Sequence, residues 1–382
     1  MSAPSLILSE EQESVRKTAR ELVRARAPIA TFRRLRDEND PHGMSRALWS
    51  EMASLGIAGT SLPEAYGGNG LGLAELGLVV EECGRALAAT PLLASVVLAG
   101  GAIALLGSDA QRAEALPPVA RGDRLLALAH DEGRHYRRLH VTMRMSPSPR
   151  GHRLDGTKTF VLDGNVADAF VVSARSHGHP ADREGVTLAV VPRDAEGVIV
   201  ERRSLVDGRN VADVRFESVE VAEGAVLGAI GGAAVALETV LDRGAIVLAA
   251  EMLGGAREAF ERTIAHLKER KQFGVPIGSF QALKHRAATL FCELELSTSI
   301  VLEALRAADA GRDDVSKLAS VAKARLTDTY LAVTNEAVQM HGGIGVTDEH
   351  DIGLFLKRAR VSEMLFGDAA FHRDRYATSC GY

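Results

Sequence analysis

The residues best suited to chemistry stand in one short run, Glu269–Gln281, which reads ERKQFGVPIGSFQ. Arg270 carries a planar fork of donors that matches the geometry of a phosphate. Gln281 falls in the first turn of the helix predicted after the run, where free backbone N–H groups also favour anions. The run therefore predicts a corner of the chain that binds an anion.

Two helices must hold this corner. Apolar residues recur at helical spacing through the segment before it. Glycine and proline then end that helix and turn the chain, at Gly274, Pro276 and Gly278. Ser279 is predicted to cap the following helix. The cation and the amide are thus expected at a rigid helix–turn–helix corner.

Composition excludes several classes of function. The chain has 382 residues and a formal net charge of -5, which disfavours a nucleic-acid partner because phosphate binding needs a basic surface. Its three cysteines are far apart and its histidines are scattered, so no metal site is predicted. No apolar run is long enough to cross a membrane, and Ser9 begins a predicted helix without a preceding leader. These features indicate a cytoplasmic protein.

The order of elements predicts an α+β protein in three parts. Residues 1–124 have helical patterns, with caps at Ser9 and Ser45. Residues 125–228 contain short valine-rich runs separated by turn residues, which favour a small β-barrel or sandwich. Residues 229–382 contain four long helical segments, which favour a four-helix bundle.

Two motifs support a family resemblance. The corner contains Arg-x-Gln-Phe-Gly-x-Pro-Ile-Gly-x-Phe-Gln, and Gln-Met-His-Gly-Gly-Ile-Gly follows at 339–345. Together they resemble the acyl-CoA dehydrogenase family over nearly the whole chain. The resemblance is closest to the small subunits of pimeloyl-CoA dehydrogenase and to the partner subunits of bacterial heteromeric acyl-CoA dehydrogenases. It implies a helical N-terminal domain, a middle β-barrel domain and a C-terminal four-helix bundle.

The resemblance also implies a cofactor, FAD, and residues that hold it. One set matches family residues at the pyrophosphate and adenine side of the flavin: Arg270, Phe273 and Gln281. A second set matches the turn that lies against the same end: Gln339, Gly342 and Gly343. In family dimers both sets reach across the interface to the neighbour's flavin.

The residues that serve a chain's own active site depart from the family pattern. Phe366 stands where the family usually has its catalytic glutamate. Gly244 stands at the alternative position of the base, on the long helix. Ala245 stands where the family commonly has an arginine near the substrate. Leu162 stands where the family has a residue whose hydroxyl contacts the flavin ring. The loop at 129–135 differs in sequence from the corresponding loop of the family. Groups for a neighbour's flavin are kept, whereas groups for the chain's own flavin and base are absent.

The sequence therefore predicts a subunit of an FAD-dependent acyl-CoA dehydrogenase that completes the flavin site of a catalytic partner. The expected assembly is a heterotetramer with a paralogous subunit, active in lipid metabolism. Its substrate is an acyl-CoA, whose acyl group stays open, and its electrons pass to an electron-transferring flavoprotein.

Two alternatives stay open. The chain is a self-sufficient homo-oligomer if a displaced carboxylate acts as the base. Asp368 is the weak candidate for that role, because desolvation beside Leu365 and Phe366 would raise the pKa of its carboxyl. Asp242 and Glu251 on the long helix are further candidates. A third hypothesis is a non-redox helical scaffold that only recruits a partner. No nicotinamide-binding Gly-x-Gly-x-x-Gly unit is present.

Overall fold

The structure is a computed structural model that describes residues 7–382. Its α-helices are α1 (Glu10–Arg26), α2 (Ile29–Asp37), α3 (Arg46–Ser54), α4 (Leu73–Arg85), α5 (Gly101–Leu106), α6 (Asp109–Ala120), α7 (Ala234–Glu269), α8 (Gln281–Asp309), α9 (Val315–His341), α10 (Ile352–Met364) and α11 (Ala369–Ser379). A π-helical stretch, Leu92–Gly100, precedes α5.

The strands are β1 (Leu126–Ala129), β2 (Arg144–Ser148), β3 (Gly151–Leu162), β4 (Ala169–Arg175), β5 (Val186–Pro192), β6 (Val198–Ser204), β7 (Asn210–Val221), β8 (Val226–Leu227), β9 (Lys271–Gln272) and β10 (Val275–Pro276). The elements form two compact units. The first contains the chain up to Arg34, Leu73–Ala88 and Ala245–Tyr382, and the second contains Leu35–Gly72 and Ala89–Gly244.

The first unit is built from helices, with α9 packed against α8, α10 and α11. The approach of α4 to α7 is set by a pair of glycines. A Cβ on Gly84 would lie 2.0 Å from the carbonyl oxygen of Glu251, and one on Gly254 would lie 1.8 Å from that of Glu81. Only glycine permits this backbone contact, so α4 and the second half of α7 form one tight pair.

The second unit is organised by one eight-stranded sheet, ordered β6-β7-β3-β2-β4-β5-β8, with β1 also pairing β4. β1 runs parallel to β4 over Leu126–Ala129, and β2 continues along the same edge of β4 at Arg144. All seven residues of β4 are buried. An apolar core supports the sheet and includes an edge-to-face pair, Phe170 and Phe216, with ring centroids 6.3 Å apart.

The expected succession of helices, a β region and helices is confirmed. The hydrogen-bonded path of the sheet has two ends, β6 and β8, rather than the closed ring of a barrel within the described residues. Ser9 caps α1 and Ser45 caps α3, as predicted. The valine-rich runs did not predict strands β2 and β6, because each strand is partly exposed and rich in polar residues.

The fourth predicted helix of the C-terminal bundle, at about 351–376, is broken in two. Between α10 and α11 the backbone takes positive φ at Phe366 (57°) and Gly367 (98°). Asp368 then caps α11, its side chain accepting a hydrogen bond from the backbone N–H of Phe371 at 2.8 Å. The break coincides with the stretch that the family resemblance aligns with the usual catalytic glutamate.

Candidate cofactor corner and active-site positions

The predicted corner is a small β-hairpin inserted between α7 and α8. β9 and β10 pair antiparallel, and the turn between them has positive φ at Phe273 (53°) and Gly274 (82°). Two consecutive positive φ angles suit the right-handed twist of a two-residue hairpin. The backbone N–H of Ile277 donates to the carbonyl of Arg270 at 2.8 Å and closes the hairpin onto the end of α7.

The cap predicted at Ser279 is wrong. α8 begins at Gln281 after an extended Phe280, with no side-chain cap. The Ser279 hydroxyl instead donates to the carbonyl of Pro276 at 2.7 Å, within the 3₁₀ turn that ends the corner. A turn that uses this hydroxyl leaves the first N–H groups of α8 without a side-chain acceptor, which suits an anion from outside.

The corner presents its predicted side chains to the outside of the chain. Arg270 and Gln281 are exposed, and Phe273 is 92% exposed. Phe280 meets Phe273 edge to face, with ring centroids 6.1 Å apart. Within residues 7–382 the Arg270 guanidinium has no hydrogen bond or ion pair. An exposed aromatic pair and an unpaired guanidinium on one short hairpin are typical of a binding surface.

The second predicted set lies on the turn after α9. Gly342 has φ 66° and ψ -144°, a conformation restricted to glycine. Gly343 has no positive φ, and a Cβ there would meet nothing within 4 Å. Nothing in the described chain therefore requires glycine at 343, whereas close approach of a ligand or another chain would. Gln339 is exposed on the last turn of α9.

A stack of histidines brings the two predicted sets together. His266 stacks on His341 with ring centroids 4.3 Å apart, and His341 lies 4.6 Å from His350. His266 stands one turn before Arg270 on α7, and His341 directly precedes Gly342. Burial lowers the pKa of His341 to about 4, so its ring is neutral in the stack. The sequence gives no sign of this link, because His266 stands 75 residues before His341 and only folding stacks the two rings.

The turn at the family's usual glutamate position is built on buried groups. Phe366 is 8% exposed. The Lys323 amine, fully buried on α9, donates to the carbonyls of Glu363 at 3.0 Å and Gly367 at 2.9 Å. Burial lowers the pKa of Lys323 to about 7. His372 bonds the carbonyl of Phe366 at 3.0 Å, so the turn keeps a fixed backbone around an apolar side chain.

The three carboxylates considered as displaced bases are held by other groups. Asp368 caps α11. Asp242 is buried on α7, and its carboxylate lies 2.8 Å from the Arg138 guanidinium. Glu251 lies 3.1 Å from the guanidinium of Arg358. Gly244, predicted at the alternative position of the base, and Ala245, predicted at that of a substrate-side arginine, are buried on α7 and have no group able to take a proton.

The loop after β1 is internally bonded. His130 is buried, its Nε2 donating to the carbonyl of Arg138 at 2.8 Å and its Nδ1 accepting from the Ser173 hydroxyl at 2.9 Å. Burial lowers the pKa of His130 to about 4, which keeps the ring neutral. The buried Lys158 amine lies 2.5 Å from Glu132. Leu162, at the end of β3, is buried and brings no hydroxyl.

Two further classes of site are not found. Among residues 7–382, no cluster of three or more histidine, cysteine, aspartate or glutamate side chains is arranged to hold a metal ion. In that same range, no helix combines the length and apolar character needed to span a membrane.

Known proteins are similar to this chain over nearly its whole length. Its residues match the family models of the acyl-CoA dehydrogenase N-terminal domain (9–123), middle domain (130–219) and C-terminal domain (231–380). It is similar to acyl-CoA dehydrogenase FadE12 of Mycobacterium tuberculosis, 31% identical over 371 residues, covering 95% of this chain and 94% of the relative.

Solved structures give the same result. A variant of the Tcur3481-Tcur3483 steroid ACAD superposes with TM-score 0.86 at 33% identity, covering 97% of this chain and 98% of that one. A chain of the ChsE4-ChsE5 complex from Mycobacterium tuberculosis gives TM-score 0.89 at 26% identity, with 99% of each chain covered. The chain belongs to the acyl-CoA dehydrogenase family of FAD-dependent oxidoreductases that act on acyl-CoA thioesters.

Proposed function

We propose that this chain is a subunit of a heteromeric acyl-CoA dehydrogenase in which a paralogous partner carries the catalytic base. The chain would complete the partner's flavin site with its corner and its glycine turn. The observation that carries the proposal is an asymmetry. The corner offers an exposed guanidinium with no partner in residues 7–382, while the turn at the usual glutamate position carries a buried phenylalanine.

The corner fits one end of FAD. When bound, this cofactor accepts a hydride from the carbon β to the thioester. Arg270 supplies a donor fork for the pyrophosphate, and the open space at Gly343 admits another molecule close to the backbone. Phe273, Gln281, Gln339 and Gly342 complete the proposed site. These residues bind and orient the cofactor, while proton transfer is left to the partner.

The chain's own half of the active site does not fit the reaction. A base for the proton α to the thioester needs a carboxylate with a raised pKa. Phe366 cannot supply one, and Gly244 on α7 has no side chain. Leu162 offers no donor for a flavin ring. These three positions support a division of labour between two related subunits.

The proposed assembly is a heterotetramer with acyl-CoA as substrate and an electron-transferring flavoprotein as electron acceptor. Two of the similar structures are named as pairs of proteins, Tcur3481-Tcur3483 and ChsE4-ChsE5, which favours a paired arrangement here. A role in lipid metabolism, which fits an acyl-CoA substrate, and a cytoplasmic location are part of the proposal.

The test is the number of flavins per polypeptide, measured by absorbance of the purified chain alone and after co-expression with a paralogous acyl-CoA dehydrogenase. Little flavin in the chain alone and one flavin per two chains in the complex would support a shared site. One flavin per chain in a homo-oligomer would overturn it and turn attention to Asp368, Asp242 and Glu251. No flavin under any pairing would support a non-redox scaffold.

A further inference from the structure

The loop between β1 and β2 encloses a cavity of about 220 Å³ within the second unit. Its lining includes four basic or imidazole side chains, two carboxylates and a hydroxyl: Arg134, His135, Arg137, His140, Asp131, Glu132 and Thr142. Pockets for whole drug-sized ligands measure roughly 300–1,000 Å³. The cavity therefore suits a small ion, or one chemical group of a larger ligand.

The arginines of this cavity are not engaged by the chain. Arg134 and Arg137 are exposed, and within residues 7–382 neither guanidinium has a hydrogen bond or ion pair. The adjacent Arg138 is different, because it lies 2.8 Å from Asp242 and donates to the carbonyl of Glu238 at 2.7 Å. The charges of Arg134 and Arg137 are therefore not compensated by ion pairs within residues 7–382.

Two carboxylates also line the cavity, Asp131 and Glu132, and Glu132 is paired with other groups of the fold. Glu132 faces the buried Lys158 amine at 2.5 Å and accepts backbone N–H groups of Thr142 at 2.6 Å and Met143 at 3.0 Å. Its charge is therefore compensated by Lys158 on β3 and by these two N–H groups. Burial raises the pKa of Asp131 to about 6, against the opposing effect of Lys158.

We propose that this cavity binds the phosphate group of a phosphorylated small molecule. Two guanidinium forks provide paired donors of the kind that phosphate oxygens accept, and two histidines add donors beside them. A single carboxylate would leave part of this positive charge unused, whereas a phosphate dianion matches it. The site stands apart from the proposed flavin-sharing role and holds whether or not that role is correct.

The first experiment titrates inorganic phosphate into the purified full-length chain by isothermal calorimetry, with chloride at equal ionic strength as the blank. Saturable binding is expected, and Arg134→Ala and Arg137→Ala should each weaken it about tenfold, the scale of one charge-assisted hydrogen bond. Arg150→Ala is the matched control, because Arg150 is exposed on the turn between β2 and β3 and does not line the cavity. Absent binding, or equal losses in all three variants, would overturn the proposal.

A second experiment tests Asp131 and the source of the phosphate. Asp131→Asn should bind phosphate more tightly than the wild type at pH 8, and equally at pH 5, where the wild-type carboxyl is protonated. An unchanged affinity at pH 8 would remove Asp131 from the site. Coenzyme A and dephospho-coenzyme A then identify the ligand. A preference for the former that Arg134→Ala abolishes assigns its 3′-phosphate, equal binding that Arg134→Ala weakens assigns the shared pyrophosphate, and binding of inorganic phosphate but of neither coenzyme assigns a separate phosphate ester.

Discussion

The corner after α7 and the break between α10 and α11 are both short turns between helices, yet they are built in opposite ways. At the corner the side chains proposed to bind the cofactor are exposed, and Arg270 has no side-chain partner within residues 7–382. At the break, Phe366 is buried and the carbonyls around it are bonded by Lys323 and His372.

The contrast separates binding from scaffolding. Polar groups that the fold leaves unpaired remain available to a ligand, whereas polar groups that are buried must find partners inside the chain. The corner thus keeps the properties of a binding surface, and the break keeps only its backbone geometry. Substitutions at the two turns should therefore separate cofactor binding from stability.

The largest effect is expected at the corner. Arg270→Ala should weaken FAD retention in the active complex by about 10- to 100-fold, because a charged hydrogen bond contributes roughly 1.5–3 kcal/mol. The measurement is flavin release followed by fluorescence. Lys268→Ala, an exposed cation on the last turn of α7, serves as the control. Equal retention in both variants would remove the corner from cofactor binding.

The buried amine should matter for stability instead. Lys323→Met leaves the carbonyls of Glu363 and Gly367 without this donor and should lower the free energy of unfolding by about 2 kcal/mol at pH 9. Lys317→Met, on the more exposed first turn of α9, is the control and should cost little. Urea unfolding of both variants measures the difference.

The buried Lys323 also predicts how the free energy of unfolding changes with pH. Its pKa is about 7 in the folded chain and about 10.4 in an unfolded one. Between these values the unfolded chain binds a proton that the folded chain does not, so raising the pH favours folding. The stability advantage of wild type over Lys323→Met should therefore grow from pH 7 to pH 10. A constant difference would show that the folded amine titrates normally.

The glycine turn offers a paired test. Gly342→Ala should destabilise the isolated chain by roughly 1–3 kcal/mol, because its backbone conformation is restricted to glycine. Gly343→Ala should leave the isolated chain at least as stable but weaken FAD retention in the complex. Thermal unfolding and flavin release separate the two. Unchanged retention in Gly343→Ala would mean that no molecule approaches this position.

The smallest effect is expected at the helix cap. Asp368→Asn should change neither turnover nor stability, because asparagine caps a helix as well as aspartate does. Asp368→Ala should cost about 1 kcal/mol of stability with turnover intact. A collapse of the rate in Asp368→Asn with flavin still bound would instead identify the displaced base of a self-sufficient enzyme.

Local signals made much of the fold predictable. Apolar periodicity and valine-rich runs located most helices and strands, and Ser9 and Ser45 mark helix starts because a cap depends on neighbours in the chain. The cap predicted at Ser279 was wrong because a second local partner competes for the same side chain. Its hydroxyl is used by the 3₁₀ turn, and local sequence does not reveal which of two nearby partners a hydroxyl prefers.

The sequence by itself determined the family and the candidate residues at the corner and the glycine turn, because each motif is a short contiguous run that can be recognised without the fold. Only the tertiary structure decided which polar groups are satisfied. Asp242 meets Arg138, Glu251 meets Arg358, and Lys323 reaches the break, each across a long stretch of sequence. Burial and pairing depend on neighbours that folding assembles, and these neighbours decide whether a charged side chain is structural or free to bind.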